Sequence, residues 1–290
     1  MREYVIMTDS SCDLPASFEE RYGLSVIPLS VVIDGKTFFN YLDGREIGFK
    51  EYYALLRQGK KATTSAVNID AAVKAMEIVL ESGKDILFLA FSSGLSCTYA
   101  SADAAAKEMS ARYPDRKVYV VDTLCASLGQ GLMVYLAAQQ KESGKSMEEV
   151  RDFVEKNKLH LCHWFTVEDL HHLKRGGRIS AATALVGTAL GIKPVMHMDN
   201  NGKLASVGKV RGRQESIKAL AQKMKQSAID AENQTVFISH GDCEDDAKTL
   251  ASIIKDDLKV KDIMINYVGP VIGTHSGPGT LALFFIGSER

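Results

Sequence analysis

The sequence predicts an α/β fold with two lobes: an N-terminal lobe built on a mostly parallel sheet flanked by helices, and a C-terminal α/β lobe with a mixed sheet. In the first half, short apolar segments alternate with helical patterns, which is typical of a parallel sheet. The segment at residues 86–91 is apolar throughout, as in a strand buried on both faces. In the second half, Asn200-Asn201-Gly202 separates two strand patterns, and Asn-Gly favours a tight hairpin turn.

The N-terminal lobe begins with strand patterns at residues 3–7 and 24–33. Apolar residues at helical spacing then predict helices around residues 49–56 and 72–80, on either side of a polar break at 61–70. The remaining predicted elements of this lobe are a strand at 86–91, a helix at 96–112, a strand at 117–122 and a helix from about residue 125.

A charged helix at residues 146–158 marks a change of pattern, so we place a soft domain boundary near 150–160. The lobes then cover residues 1–155 and 156–290, with some exchange of segments between them. Because no low-complexity linker separates them, we expect them to pack closely. The second lobe is predicted to contain strands at 160–167, 193–198, 203–211, 235–240, 262–268 and 281–287, helices at 214–229 and from about 242, and a glycine-rich loop at 271–280.

Composition excludes several classes of protein. With 290 residues and 46% hydrophobic content the chain can bury a large core, and a net charge of -1 gives no bulk attraction to nucleic acid or anionic membrane. The five cysteines are odd in number and lack Cys-x-x-Cys spacing, which argues against a zinc site or a disulfide framework. No apolar segment approaches the roughly 20 residues that span a bilayer, and no leader peptide is evident. We expect a cytoplasmic protein with reduced thiols.

Three clusters of hydroxyl side chains lie where predicted strands end or helices begin: residues 8–11, 63–65 and 92–96. Ser, Thr and Asp are preferred helix caps, so capping explains any one cluster taken alone. Ligands of parallel sheets, however, collect beyond the carboxyl ends of the strands, where backbone N–H groups of helices face outward. Several hydroxyl clusters around one crevice would suit an anionic group.

Other chemistries fit less well. Ser96 could be the nucleophile of a serine hydrolase with His275 as base and Asp9 or Asp122 as orienting acid, but the second glycine of the G-x-S-x-G elbow is replaced by Thr98. The G-x-G-x-x-A pattern at 277–282 does not follow a first strand, so its glycines are interpreted as a backbone turn. Histidines lack metal-ligand spacing, and the basic segment at 171–180 is consistent with either phosphate binding or a solvated turn.

Taken together, six motifs resemble the DegV family of bacterial fatty-acid-binding proteins, which includes the binding subunits of fatty acid kinase. They follow the family order over nearly the whole chain, and their combination is specific although each is weak alone. The motifs are MTDSSCDLP, TTSAVN, FSSGLSCTYASA, VEDLHHLKRGGRIS, GIKPVM and GTHSGPGTLALFF.

The resemblance implies a fatty acid held between the two lobes, with its tail in an apolar tunnel and no cofactor. It implies that Thr64 and Ser96 bind the carboxylate and that His275 assists. The neighbouring hydroxyls Thr63, Ser65 and Ser93 are further candidate ligands. By the same resemblance the protein is not itself an enzyme. It presents the acid to a separate kinase, which forms an acyl phosphate for lipid synthesis, and Lys209 and Arg211 are candidates for the docking surface.

Two positions depart from the family pattern. Cys97 stands where the family commonly has glycine, and Val67 stands where it often has proline. Neither change removes a proposed ligand, but both bear on which acyl chain is preferred. Because each buried methylene contributes roughly 0.8 kcal/mol, a tail of about 14 gives on the order of 11 kcal/mol before binding entropy. The tail is therefore expected to set affinity, and the hydroxyls to fix which end faces the exit.

Overall fold

The computed structural model describes residues 2–180 and 191–290. Its N-terminal lobe contains a four-stranded parallel sheet in the order β2-β1-β6-β7 and a three-stranded antiparallel sheet in the order β4-β3-β5. The strands are β1 (Tyr4–Asp9), β2 (Ser25–Ile27), β3 (Leu29–Ile33), β4 (Lys36–Asn40), β5 (Ala62–Thr64), β6 (Asp85–Ala90) and β7 (Val118–Asp122). The helices are α1 (Ser17–Tyr22), α2 (Phe49–Arg57), α3 (Ile69–Glu81), α4 (Thr98–Arg112), α5 (Leu128–Glu142) and α6 (Met147–Asn157).

The C-terminal lobe is built on a six-stranded mixed sheet in the order β10-β9-β8-β13-β11-β12. Only β11 and β12 pair in parallel among the described strands of this sheet. The strands are β8 (Leu161–Thr166), β9 (Ile192–Met198), β10 (Leu204–Arg211), β11 (Thr235–His240), β12 (Asp262–Tyr267) and β13 (Leu281–Ile286). The described helices are α7 (His171–Arg175), α8 (Arg213–Ser227), α9 (Glu244–Leu258) and α10 (Pro270–Ser276).

The strand predicted to be buried on both faces is confirmed as β6. Every one of its side chains is buried, and alternate residues join different apolar clusters. Leu87 and Leu89 pack on the side of α5, whereas Ile86 and Phe88 pack on the side of α3 and α4. This central position explains why residues 86–91 are all apolar.

The prediction of one strand at residues 24–33 is wrong, because Pro28 divides it. Proline lacks the N–H that a ladder requires and fixes its own φ angle. Before it, β2 pairs with β1. After it, β3 turns into the antiparallel sheet and pairs with β5, which lies inside the segment predicted as a polar break.

The prediction of a loop around His275 is also wrong, since residues 270–276 form α10. Pro270 stands in its first turn, where a missing N–H removes no helical hydrogen bond. The helix ends at Gly277, and Gly277 and Gly279 both adopt positive φ. These glycines form the backbone turn into β13, as the sequence predicted.

The two lobes share packing surfaces. Helix α5 lies between the sheets, where the rings of Tyr135 and Phe237 are 5.4 Å apart and a Cβ on Gly129 would overlap His163. At a second contact, Tyr52 Oη lies 2.5 Å from Thr274 Oγ1, which ties α2 to α10. A crevice closed by elements of both lobes results.

Candidate functional site

A cavity of about 330 Å³ lies between the parallel sheet and the mixed sheet. This volume falls within the usual range for small-molecule sites, and its lining is largely apolar. The apolar side chains that line it come from both lobes: Leu29, Ala66, Phe91, Leu95, Ala126, Phe165, Leu173, Met198, Leu204, Val268, Val271, Ile272, Ala282 and Phe284.

One part of the cavity wall contains Thr64 and His275, whose Oγ1 and Nε2 atoms are 2.8 Å apart. Thr64 is the last residue of β5 and faces inward because side chains alternate along a strand. The same alternation leaves Thr63 exposed and outside the described lining of the cavity. Ser65 lines the cavity as well, and its backbone N–H donates to Ser30 O at 3.1 Å.

Ser96 lines the cavity just before α4 begins. Its Oγ accepts from the Thr98 N–H at 3.2 Å and lies 3.0 Å from Thr98 Oγ1. Thr98 Oγ1 in turn accepts from the Val67 N–H at 3.3 Å, which joins the segment after β5 to the start of α4. Ser96 therefore both supports the helix start and presents a hydroxyl to the cavity.

His275 is neutral near pH 7. Burial, followed by the positive charge of Arg178, lowers its pKa to about 4. Nδ1 is buried and has no hydrogen-bond partner among the described residues. Gly176 lies against this nitrogen, and a Cβ there would also approach the ring carbons to 3.2 Å and 3.3 Å. Only glycine at 176 leaves the ring in its present place.

Arg178 supplies a cation to the cavity wall. Its guanidinium donates to Gly176 O, and burial lowers its pKa from the usual arginine value. Sequence reasoning singled out the basic segment around it without choosing a residue. The useful signal was Gly176, two residues before Arg178, because it lets the backbone pass close to His275.

The remaining predicted residues lie elsewhere. Ser93 is exposed, is not among the described lining residues, and its N–H donates to Asp122 Oδ1 at 3.1 Å. Lys209 and Arg211 are exposed on β10, which is an edge strand of the mixed sheet. The exposed side chain of Val207 lies on the same strand.

The contacts do not support the hydrolase alternative. His275 Nε2 pairs with Thr64, whereas Ser96 Oγ pairs with Thr98. Asp9 accepts from the Phe91 N–H, and Asp122 accepts from backbone N–H groups, so both proposed orienting acids have other partners. These residues therefore do not form the hydrogen-bonded chain of nucleophile, base and acid that a catalytic triad requires.

A second polar group lies on the cavity wall, and sequence reasoning missed it. Ser127 and Ser239 line the cavity with Oγ atoms 3.2 Å apart, and Ser127 Oγ donates to the buried Asp13 at 2.6 Å. Ser276 also lines the cavity; its Oγ is buried and has no hydrogen-bond partner among the described residues. Buried hydroxyls are normally paired, so Ser276 has a free donor to offer.

The arrangement agrees with comparison to known proteins. The family model for the uncharacterised proteins of the DegV family matches residues 3–288. The chain belongs to the DegV family. A DegV domain-containing protein of Clostridium perfringens is 45% identical over 290 residues, which covers 100% of this chain and 99% of that protein.

Solved DegV structures share the fold. A DegV family protein from Thermus thermophilus, described by its fatty acid binding, matches with a TM-score of 0.88 and 32% identity, over 99% of this chain and 100% of that one. A DegV lipid-binding protein from Thermotoga maritima matches with a TM-score of 0.87 and 32% identity, over 99% of both chains. The predicted two-lobed α/β fold and the resemblance to the DegV family are thus confirmed.

Neither a membrane-spanning helix nor a metal cluster is found among the described residues. No helix there is long and apolar enough to cross a bilayer. Within residues 2–180 and 191–290, no group of three or more His, Cys, Asp or Glu side chains is placed to hold a metal ion.

Proposed function

We propose that this DegV protein binds a long-chain fatty acid in the cavity, with the carboxylate at Thr64, Ser96 and His275. The observation that carries the proposal is a largely apolar cavity of about 330 Å³ with a hydroxyl–imidazole pair and an arginine in its wall. The fatty acid binding described for the DegV family protein of Thermus thermophilus and the lipid binding described for that of Thermotoga maritima support it.

His275 orients Thr64 in this proposal. A neutral imidazole carries one N–H, and when that proton is on Nε2 it donates to Thr64 Oγ1 across 2.8 Å. The Thr64 hydroxyl proton is then free to point into the cavity at a carboxylate oxygen. Ser96 has the same capacity when the Thr98 hydroxyl donates across the 3.0 Å contact between them, because Ser96 Oγ then accepts from both the N–H and the hydroxyl of Thr98 and keeps its own proton to donate.

Arg178 provides the charge that hydroxyls lack. A hydrogen bond to a charged group contributes about 1.5–3 kcal/mol, against about 1 kcal/mol for a neutral pair. The partly buried guanidinium beside His275 favours an anion at this end of the cavity over a neutral head group. The apolar wall then receives the tail, and Ser65 contributes a further hydroxyl to the cavity wall.

We test binding with protein that has been stripped of lipid and titrated with a saturated long-chain fatty acid. Native mass spectrometry is expected to show one acid per chain, and Thr64→Val and Ser96→Ala are expected to weaken binding by about 10-fold each. Lys61→Gln, an exposed change near β5, serves as the control. A stripped protein that takes up no fatty acid would refute the proposal.

We further propose that the bound acid is presented in the cytoplasm to a separate fatty acid kinase, which carries out the chemistry. The exposed edge strand β10, with Lys209, Arg211 and the apolar Val207, is the candidate docking surface. An edge strand offers unpaired backbone groups to a partner, and its cations suit an acidic surface. Lys209→Glu with Arg211→Glu is expected to slow acyl-phosphate formation while leaving fatty acid affinity unchanged. Equal rates of acyl-phosphate formation with the natural protein and the double variant would show that β10 is not part of the interface.

A further inference from the structure

Asp13 is a buried carboxyl group with an unusual backbone and well-defined partners. It follows the short turn at residues 10–12 and adopts φ 53°, a left-handed conformation that Asp tolerates better than most residues. This conformation turns the side chain inward, where only 3% of the residue is exposed. An acid placed there needs strong hydrogen-bond donors, because burying an unpaired charge is costly.

The donors come from the helix that carries His275 and from the cavity wall. Asp13 Oδ1 accepts from the Gly269 N–H at 3.0 Å, and Gly269 is the residue immediately before α10. Asp13 Oδ2 accepts from Ser127 Oγ at 2.6 Å, and Ser127 lines the cavity. One carboxyl group thus connects the start of α10 with the wall that faces the ligand.

The contact at Gly269 is specific to glycine. A Cβ at this position would lie 2.6 Å from Asp13 Oδ1, so a side chain would push the carboxyl group away. Pro270, the next residue, has no N–H, so it cannot share in binding the carboxyl group at the beginning of the helix. A negative charge at the N-terminal end of a helix is also favoured by the helix dipole.

Two tyrosines of α2 contact α10 and the residues just before it. Tyr52 Oη lies 2.5 Å from Thr274 Oγ1, and Tyr53 Oη donates to Val268 O at 2.7 Å. With the start of the helix fixed by Asp13, the position of His275, at its last turn, follows. Since His275 Nε2 sets the Thr64 hydroxyl, a displacement of α10 is transmitted to the head-group site.

We propose that Asp13 is a positioning residue for His275: its carboxyl group fixes α10 through Gly269, and its protonation state sets the geometry of the head-group site through α10 and Ser127. The second half of this inference rests on the proposed fatty acid binding. When Asp13 is ionised, both Gly269 and Ser127 donate to it. When it is protonated, it must donate its own proton, so Ser127 turns to accept and sends its hydrogen toward Ser239.

The surroundings of Asp13 favour the protonated form of its carboxyl group at neutral pH. Burial raises its pKa to about 8, against the lowering effect of the Ser127 and Gly269 hydrogen bonds. The titratable groups that face it are the carboxyl of Asp9, the thiol of Cys12 and the phenol of Tyr53. Among the described residues, its hydrogen bonds to the starts of α5 and α10 and to strand β12 involve the uncharged groups Ser127, Gly269 and Asn266.

The test follows the ring signals of His275 by NMR in protein labelled at histidine, between about pH 6 and pH 9.5, without fatty acid. His275→Gln assigns the signal. Because burial keeps His275 neutral over this range, any titration it reports comes from a neighbour. We expect a midpoint near 8 in the natural protein, no such transition in Asp13→Asn, and an unchanged transition in Asp256→Asn, which alters an exposed acid.

Ser127→Ala keeps the proposal testable if Asp13→Asn fails to fold. The Ser127 hydroxyl lowers the pKa of Asp13 in the natural protein. Its removal is therefore expected to move the midpoint of the transition seen in the His275 signal to higher pH. A His275 signal that does not titrate near pH 8, or a midpoint that Asp13→Asn and Ser127→Ala leave in place, overturns the inference. These results do not depend on lipid. The fatty acid affinity of the natural protein is expected to differ about 3-fold or more between about pH 6 and about pH 9.5. The affinity of Asp13→Asn is expected to be the same at both pH values.

Discussion

Gly176→Ala tests whether His275 must keep its present position for the head group to bind. The new Cβ would lie under 3.0 Å from His275 Nδ1, closer than real Cβ contacts. The ring cannot simply retreat, because Thr64 Oγ1 lies against its other nitrogen. A shift of about 0.7 Å would compress that 2.8 Å hydrogen bond to about 2.1 Å, outside the normal range. The ring must therefore swing away from Thr64.

The expected cost is the loss of an oriented hydrogen bond from Thr64 to a charged oxygen. Such a bond contributes about 1.5–3 kcal/mol, which corresponds to about 10- to 150-fold in the dissociation constant. The backbone at Gly176 has φ -73°, so alanine adds no backbone strain there. Fluorescence displacement measures the affinity for a fatty acid and for the alcohol of the same chain length, and the alcohol is expected to lose less.

Gly48→Ala is the matched control. Gly48 also has a negative φ, -64°, and a Cβ at this position would meet nothing within 4 Å. Its affinity for the fatty acid is expected to equal that of the natural protein. If Gly176→Ala binds the acid within about 2-fold of Gly48→Ala, His275 does not position the head-group ligands and the reasoning fails.

Three further changes probe other parts of the site. Ser276→Ala removes the unpaired buried hydroxyl and is expected to weaken fatty acid binding about 3- to 10-fold in a displacement titration; equal or tighter binding would show that this hydroxyl does not reach the ligand. Ala126→Leu narrows the cavity and is expected to shift the preferred acyl chain, measured over a series of acids, to shorter lengths; an unchanged series would place the tail elsewhere. Because the pKa of His275 falls from 6.5 to about 4 on folding, the unfolded state binds the extra proton and stability falls as pH drops through that window. His275→Gln is expected to remove up to about 3 kcal/mol of this acid sensitivity in urea unfolding, and an identical pH dependence in both proteins would contradict the burial of the ring.

The sequence was sufficient for the architecture where patterns are local and strong. The apolar run at residues 86–91 and the Asn-Gly turn between β9 and β10 are strong local signals, and the strand and the hairpin that they predict are both present. The weak elements were missed for physical reasons. Strand β5 has three residues and a polar composition, and it exists because β3 pairs with it after the break at Pro28.

The site was only partly predictable. Hydroxyls at 64 and 96 could be proposed from position and resemblance, and both line the cavity. The direction of each side chain could not be predicted. Thr63 is one position out of phase with Thr64, and a shift of one residue along a strand reverses the face, whereas Ser93 lies exposed in the turn after β6. The contribution of Asp13 depends on α10, which lies more than 250 residues away in the chain, as the 256-residue separation from Gly269 shows.

A crystal structure of the protein reloaded with a saturated long-chain fatty acid gives the position of the carboxylate. We predict its oxygens at about 3 Å from Thr64 Oγ1 and Ser96 Oγ, with the tail along Phe165 and Phe284. Density for a carboxylate beside Ser127 and Ser239, with the tail toward Thr64, or density outside the cavity, would contradict the proposed function.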